Sequence, residues 1–208
     1  MRSRRALPRR LATLVVAVAL PTVVAASAYA GAGAASAIRT VNVDDNFFSP
    51  VTVAVAQGDT VRWRFVGAFA HTVTDTTGMG IYDSGVRQTG TFDHRFAAAG
   101  SYGYVCQIHF GMNGRVNVPV RAIPLTGTPQ TVFTIRWSSS AAPTGFRHDV
   151  QIRRPGSTAF VAWRTGIVAG SATFKADRGR GTYQFRSRLR KLAGGASAFS
   201  AARAITVS

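Results

Sequence analysis

Four side chains in this 208-residue sequence have the types and spacing to hold a soft metal ion. Cys106, His109 and Met112 form a C-x2-H-x2-M run, and His71 lies upstream of it. Cys106 is the only cysteine, which excludes a disulfide-stapled fold and a thiolate-rich zinc finger. A thiolate, two imidazoles and a thioether suit copper. The sulfurs favour Cu(I), the imidazoles accept Cu(II), and two His with one Cys and a weak axial Met make the blue-copper electron-transfer set. Each residue alone has a plainer use: a lone Cys in a strand is a small buried hydrophobe, and a lone Met or His fills core or surface. Their conjunction after one strand is what points to a metal. The remaining candidates read differently. His94 sits in an alternating strand between Phe92 and Phe96 and reads as strand filler, Met79 lies between glycines and reads as a loop residue, and His148 lies within a strand of the other half.

The elements that must position these ligands are β-strands. No window shows a 3.6-residue apolar period; instead, short alternating runs are bounded by Gly, Pro, Asp and Ser. In the first half these are Val51–Val55, Val61–Phe65, Thr91–Phe96, Ser101–Cys106 and Arg115–Val120. Short strands at regular spacing predict an all-β sandwich or barrel. Cys106 would then close a strand, with a tight loop turning His109 and Met112 back to the same point. His71 must come from a different loop at that end.

Charge divides the chain. The formal net charge is +17, with 23 Arg, two Lys, eight Asp and no Glu. Five of the arginines (2, 4, 5, 9 and 10) precede an apolar run from Leu11 to about Ala26, followed by Ala28-Tyr29-Ala30 and Ala35-Ser36-Ala37. A basic start, an apolar stretch and small-residue exits make residues 1–37 a secretory signal peptide, cleaved near 30 or 37. The mature protein is therefore expected outside the cytoplasm, or held at the membrane by this segment if it is not cleaved. Residues 38–120 carry six Arg and six Asp, whereas residues 121–208 carry twelve Arg and two Lys against two Asp. The Pro-, Gly- and Thr-containing stretch 121–130 reads as a linker or as the entry strand of the second half. Two domains are expected, over 38–120 and 131–208.

Residues 41–120 resemble a plastocyanin- or amicyanin-type cupredoxin. The resemblance runs through Asn46-Phe-Phe-Ser-Pro50, Gly58-Asp-Thr-Val-Arg-Trp63, Ala70-His-Thr-Val73, Tyr82-Asp-Ser-Gly85, Gly90-Thr-Phe92 and Gly100-Ser-Tyr-Gly-Tyr-Val-Cys-Gln-Ile-His109. The short Cys-to-Met loop is similar to that of amicyanin. The resemblance implies a Greek-key sandwich with one type 1 copper per chain, His71, Cys106 and His109 as strong ligands, and Met112 as the axial one. It also implies that the His109 ring edge lies near the surface as the route for electrons, with Val66, Ala68, Phe69 and Phe110 near it as an apolar docking patch if they are exposed. Two departures stand out. Thr72 follows the first His where many members have another residue, so the brace on the Cys sulfur would differ. Phe110-Gly111 replaces the Pro often found after the second His. Both bear on the reduction potential.

The second half resembles, more loosely, a fibronectin type III or other immunoglobulin-like domain. Its strands are expected at Thr131–Trp137, Arg147–Arg153, Phe160–Arg164, Ala172–Lys175, Thr182–Arg190 and Ser200–Val207. Tyr183-Gln-Phe185 and the Gly194-Gly195 turn with Ser197 carry the likeness. Alternation puts Tyr183, Phe185 and Leu189 on one face of their strand and Arg186, Arg188 and Arg190 on the other. Arg147 and Arg153 would join them from the neighbouring strand, with Arg178, Arg180 and Lys191 on flanking loops. Such a face is either a solvated surface of a chain that prefers Arg to Lys or a patch for an anionic partner: an anionic cell-wall or membrane surface, or an acidic redox partner. Nucleic acid is not expected, because the chain is exported and shows no interleaved aromatics for base stacking. Nor is an enzyme: His94 and His148 cannot supply a second copper site. The expected function is a secreted electron carrier working with a redox partner protein; the alternative is a copper-binding or delivery protein outside the cytoplasm that carries no electron flux.

Overall fold

The computed structural model describes residues 36–208, which belong to one compact unit. The export signal expected over residues 1–37 lies, but for its last two residues, outside the described residues. The described chain is all-β and builds two sandwiches in succession.

The first uses β1 (Ile38–Asp44), β2 (Phe47–Ser49), β3 (Thr52–Ala54), β4 (Thr60–Phe65), β5 (Thr74–Asp75), β6 (Gly90–Arg95), β7 (Gly100–Val105) and β8 (Asn113–Val118). They form two four-stranded sheets, in the orders β2-β1-β4-β6 and β3-β8-β7-β5. The pairs β1–β4 and β3–β8 are parallel and the others antiparallel. Alternation sends Val41 and Val43, Val61, Trp63 and Phe65, and Tyr102 and Tyr104 inward, around a fully buried Trp63. Tyr104 meets Trp63 edge-on, with centroids 5.3 Å apart. β1, β2 and β5 were not anticipated from the sequence: β1 has only two inward apolar residues, and the other two span three residues and two. Met79 lies in a loop, as expected, but its side chain is buried in the core.

The second sandwich uses β9 (Arg121–Ile123), β10 (Thr126–Gly127), β11 (Phe133–Arg136), β12 (Phe146–Arg153), β13 (Val161–Ile167), β14 (Ser171–Phe174), β15 (Gly181–Lys191) and β16 (Arg203–Val207). Its sheets run β14-β11-β9 and β10-β16-β15-β12-β13. Of the two readings of 121–130, the entry to the second half is the one that forms, rather than a linker. β9 pairs with β11 and β10 with β16, so each sheet takes one of these two strands. The second core gathers Trp137, Phe133, Tyr183 and Phe185, with Trp163 half-buried against it. Tyr183 turns its hydroxyl back to donate to the Gly179 carbonyl at 2.9 Å and to accept the Arg178 N–H at 2.9 Å, pinning the loop before β15.

The two sandwiches are docked against each other. Ser101 and Ala198 exchange backbone hydrogen bonds of 2.9 and 3.0 Å, and Ser139 N–H reaches the Ala97 carbonyl at 2.9 Å. The Gln57 amide donates to the carbonyls of both Pro119 and Arg136. Side chains cross the seam as well: Leu189 packs into the first core and Ala99 into the second.

Candidate metal centre

Two loops converge at one end of the first sandwich. His71 lies on the connection after β4, where it exchanges backbone hydrogen bonds of 2.7 and 2.8 Å with Arg87. Its side chain is fully buried. Cys106 follows directly on β7, and its N–H bonds the Met112 carbonyl at 3.0 Å, closing the intervening loop. That closure requires Gly111, whose φ of 78° lies in a region where a side chain is strained. The Met112 N–H points back to the His109 carbonyl at 3.4 Å.

The donor atoms meet. Cys106 Sγ lies 3.8 Å from His71 Nδ1 and 3.5 Å from His109 Nδ1, and the ligand atoms of the three residues all fall within 4.8 Å of one another. The two imidazole rings sit 4.5 Å apart, tilted by 44°. Met112 is buried in the same loop and shares the first core with Cys106. A sulfur and two imidazole nitrogens facing one point, with a buried thioether beside them, fit a copper ion better than a hard cation, which takes oxygen ligands.

Outer contacts hold the donors in place. The Thr72 backbone N–H points at Cys106 Sγ at 3.4 Å. This brace comes from the main chain, so the unusual residue type at 72 does not remove it. The Thr72 hydroxyl does a second task, accepting the Gln107 N–H at 2.8 Å and so stitching the His71 loop to the Cys106 loop. Behind His71, Asp45 Oδ1 lies 3.5 Å from Nε2. Asp45 also accepts the N–H groups of Phe69 and Ala68, each at 3.0 Å, and these hold its carboxyl below the usual carboxylate range. The approach is so close that a Cβ at Gly67 would collide with the Asp45 carboxylate. Asp45 was not found from the sequence. Its only signal is the Asp-Asp-Asn turn after β1, in which Asn46 takes a φ of 67°. A carboxylate behind a ligating imidazole fixes the ring and raises its basicity, and its loss costs about 10–100-fold in metal affinity. Asp45→Ala is expected to weaken copper binding within that range, read by chelator competition; an unchanged affinity would remove the role.

His109 is half-buried, and both its own loop and the His71 loop carry exposed apolar side chains. Phe110 is fully exposed, Phe69 is 61% exposed, and Val66, Ala68 and Ile108 are exposed too. Val66 and Phe69 are therefore not core residues, and Ile108 extends the set read from the sequence. His94 stands apart, tilted against Tyr82 (centroids 4.7 Å apart) and edge-to-face with Phe96 (4.8 Å).

The basic face of the second sandwich also forms. β12 and β15 pair with Arg147 opposite Arg190, Asp149 opposite Arg188 and Gln151 opposite Arg186. Two features alter its expected character. Asp149, though on the outer side, is buried. It accepts Arg188 and Arg190 at 3.1 Å and the Gly166 N–H at 3.0 Å. Burial pushes its carboxyl up, and these hydrogen bonds outweigh that and hold it low. Aromatics are also interleaved, contrary to expectation. The Arg186 guanidinium lies 4.1 Å from the Phe160 ring and 4.7 Å from Phe199, with Arg153 over Phe160 and Arg188 over Phe199. Alternation places residues on a face but does not show which loop aromatic folds across it.

No protein-family model and no curated protein matches the sequence. Solved structures similar to the chain include a purple cupredoxin from Nitrosopumilus maritimus, 25% identical over 38% of this chain and 97% of that one, with a TM-score of 0.36. A mutant of amicyanin in its oxidised form is 26% identical over 39% of this chain and 81% of that one, with a TM-score of 0.35. The oxidised plastocyanin of Dryopteris crassirhizoma is 20% identical over 38% and 99%, with a TM-score of 0.34.

Proposed function

We propose that this protein is an exported type 1 copper protein that passes single electrons between redox partners, its first sandwich being a cupredoxin. The observation that carries this reading is the meeting of one donor atom each from His71, Cys106 and His109 within 4.8 Å, on two separately anchored loops. His71, Cys106 and His109 would hold the ion, with the Met112 thioether as a further, weaker donor. Bound copper supplies a one-electron couple between Cu(I) and Cu(II).

The chain's own part is to hold and expose. Backbone pairing to Arg87 fixes His71, and the Cys106–Met112 hydrogen bond fixes the ligand loop, so the donors need not rearrange when the charge at the centre changes. The Thr72 N–H on Cys106 Sγ draws electron density from the sulfur and tunes the potential. Burial of Cys106 and Met112 keeps water from the sulfurs. His109 is the half-buried ligand beside the apolar surface, which suits a small, short-lived contact with a partner. Near-zero charge in this half gives little long-range steering.

The second sandwich is proposed to be immunoglobulin- or fibronectin III-like. Its three-plus-five sheet order supports this, as does the hydroxyl of Tyr183 bonding backward to the main chain, a known corner of such folds. Its basic face would attach the protein to an anionic surface outside the cytoplasm.

Voltammetry of the copper-loaded protein tests the electron-carrier reading, with a reversible one-electron couple expected. Phe110→Asp should leave that couple and the colour in place while slowing electron exchange with a soluble cytochrome by about tenfold or more, since it puts an unpaired charge in the contact. Copper bound without a reversible couple would instead mean metal delivery.

A further inference from the structure

We infer that the cavity at the seam of the two sandwiches binds a small, uncharged hydroxyaromatic molecule, with the His148 imidazole as its hydrogen-bond partner. The cavity has a volume of about 440 Å³, within the range of roughly 300–1,000 Å³ usual for small-molecule sites. Both sandwiches build it: Met79, His94 and Phe96 from the first, and Phe146, His148 and Leu189 from the second.

His148 is the anomaly that points to a ligand. It is fully buried on the inner side of β12, neither ring nitrogen has a partner among the described residues, and a ligand hydroxyl reaches it when the side chains that close the cavity wall over the ring turn aside. A buried polar group left without a hydrogen bond costs about 1–3 kcal/mol. Leu or Phe would line the same wall without that cost. The adjacent Asp149 carboxylate cannot serve, because Arg188, Arg190 and the Gly166 N–H take it on the other side of the strand.

The walls specify the chemistry. Burial holds the His148 imidazole down at about 4 and lowers that of His94, so both are neutral at pH 7. The cations that border the cavity are turned to backbone carbonyls, Lys191 to Met79 at 2.9 Å and Arg95 to Gly58 at 2.9 Å. The apolar walls are not suited to an ion. A neutral imidazole presents one N–H and one lone pair. A hydroxyl, which both donates and accepts, complements it, and Phe96 and Phe146 favour an aromatic body.

The probe is 2-naphthol, titrated by its own fluorescence into the protein with and without copper. Saturable binding with one site per chain is expected, equal in the two forms, so that the result does not depend on the copper centre. Naphthalene should bind more weakly by about tenfold, and His148→Phe should weaken 2-naphthol by about as much. Ala141→Trp at the exposed rim should block the site without disturbing the core, and it decides the matter if His148→Phe does not fold. Three results would each overturn the inference. They are no saturable binding to the wild type, which would leave a cavity filled by water, equal binding of naphthalene, or full binding by Ala141→Trp.

Discussion

Cys106→Ser will stay colourless in Cu(II), whereas the wild type will develop an intense visible band from sulfur-to-copper charge transfer. One atom decides the difference. Cys106 Sγ is the donor that faces both imidazoles, at 3.8 and 3.5 Å, and a thiolate is what gives such a centre its preference for soft, redox-active copper. Serine keeps the shape, and its hydroxyl can still accept the Thr72 N–H that now points at the sulfur. The fold should therefore survive, as circular dichroism would show, while the affinity for Cu(I) falls by more than the roughly 10–100-fold lost with an outer-shell hydrogen bond. A colourless wild type, or a band that persists in the serine variant, would remove copper–thiolate chemistry from this protein.

The second large effect is acid lability centred on the seam. Burial holds His148 neutral in the folded chain, down at about 4, against an ordinary value of about 6.5. The unfolded chain then binds the proton first as pH falls. Stability from this group is complete above pH ~6.5 and is lost progressively toward pH ~4, a total of about 3 kcal/mol. His94 is lowered in the same direction by its burial and adds to the slope. The depressed carboxylates, among them Asp93 beside Arg62 and Asp177 beside Arg154, lose their contribution only below their unfolded values near 4, outside this window. Urea unfolding at several pH values should show the wild type weakening between pH 6.5 and 4.5, and His148→Phe weakening much less. Parallel pH profiles for the two proteins would overturn the assignment.

Much of the metal centre is legible in the sequence, because its information is local. Cys106, His109 and Met112 lie within seven residues, and a strand end followed by a tight loop leaves them few places to point. His71 is legible as the upstream imidazole of the donor set, but nothing in its own neighbourhood says which loop it will face. Asp45 is not legible at all: its role depends on a turn bringing it under the main chain of Phe69, on the loop that leaves the neighbouring strand β4. The longer strands of both sandwiches follow from alternation, but β1, the short strands β2, β5, β9 and β10, and the pairing partners do not. The parallel pairing of β1 with β4 and the capture of Arg121–Ile123 by β11 are tertiary choices. His148 and Met79 look ordinary in sequence for a related reason. Met79 lies in the cavity wall shared by the two sandwiches, and so does His148, whose nearest walls include residues more than fifty positions away.

The docking of the sandwiches has a consequence for orientation. Val120 ends one pattern and Arg121 begins another, and the chain reads there as though it could swing. Instead, the Ser101–Ala198 bridge, the exchange of Leu189 and Ala99 between cores and the Gln57 clasp hold the two parts together. Whatever surface grips the second sandwich therefore also aims the first. Molecules adsorbed through the arginine ladder would all present His109 at the same angle, like compass needles on a common mount, and a film of them would conduct or fail to conduct as one.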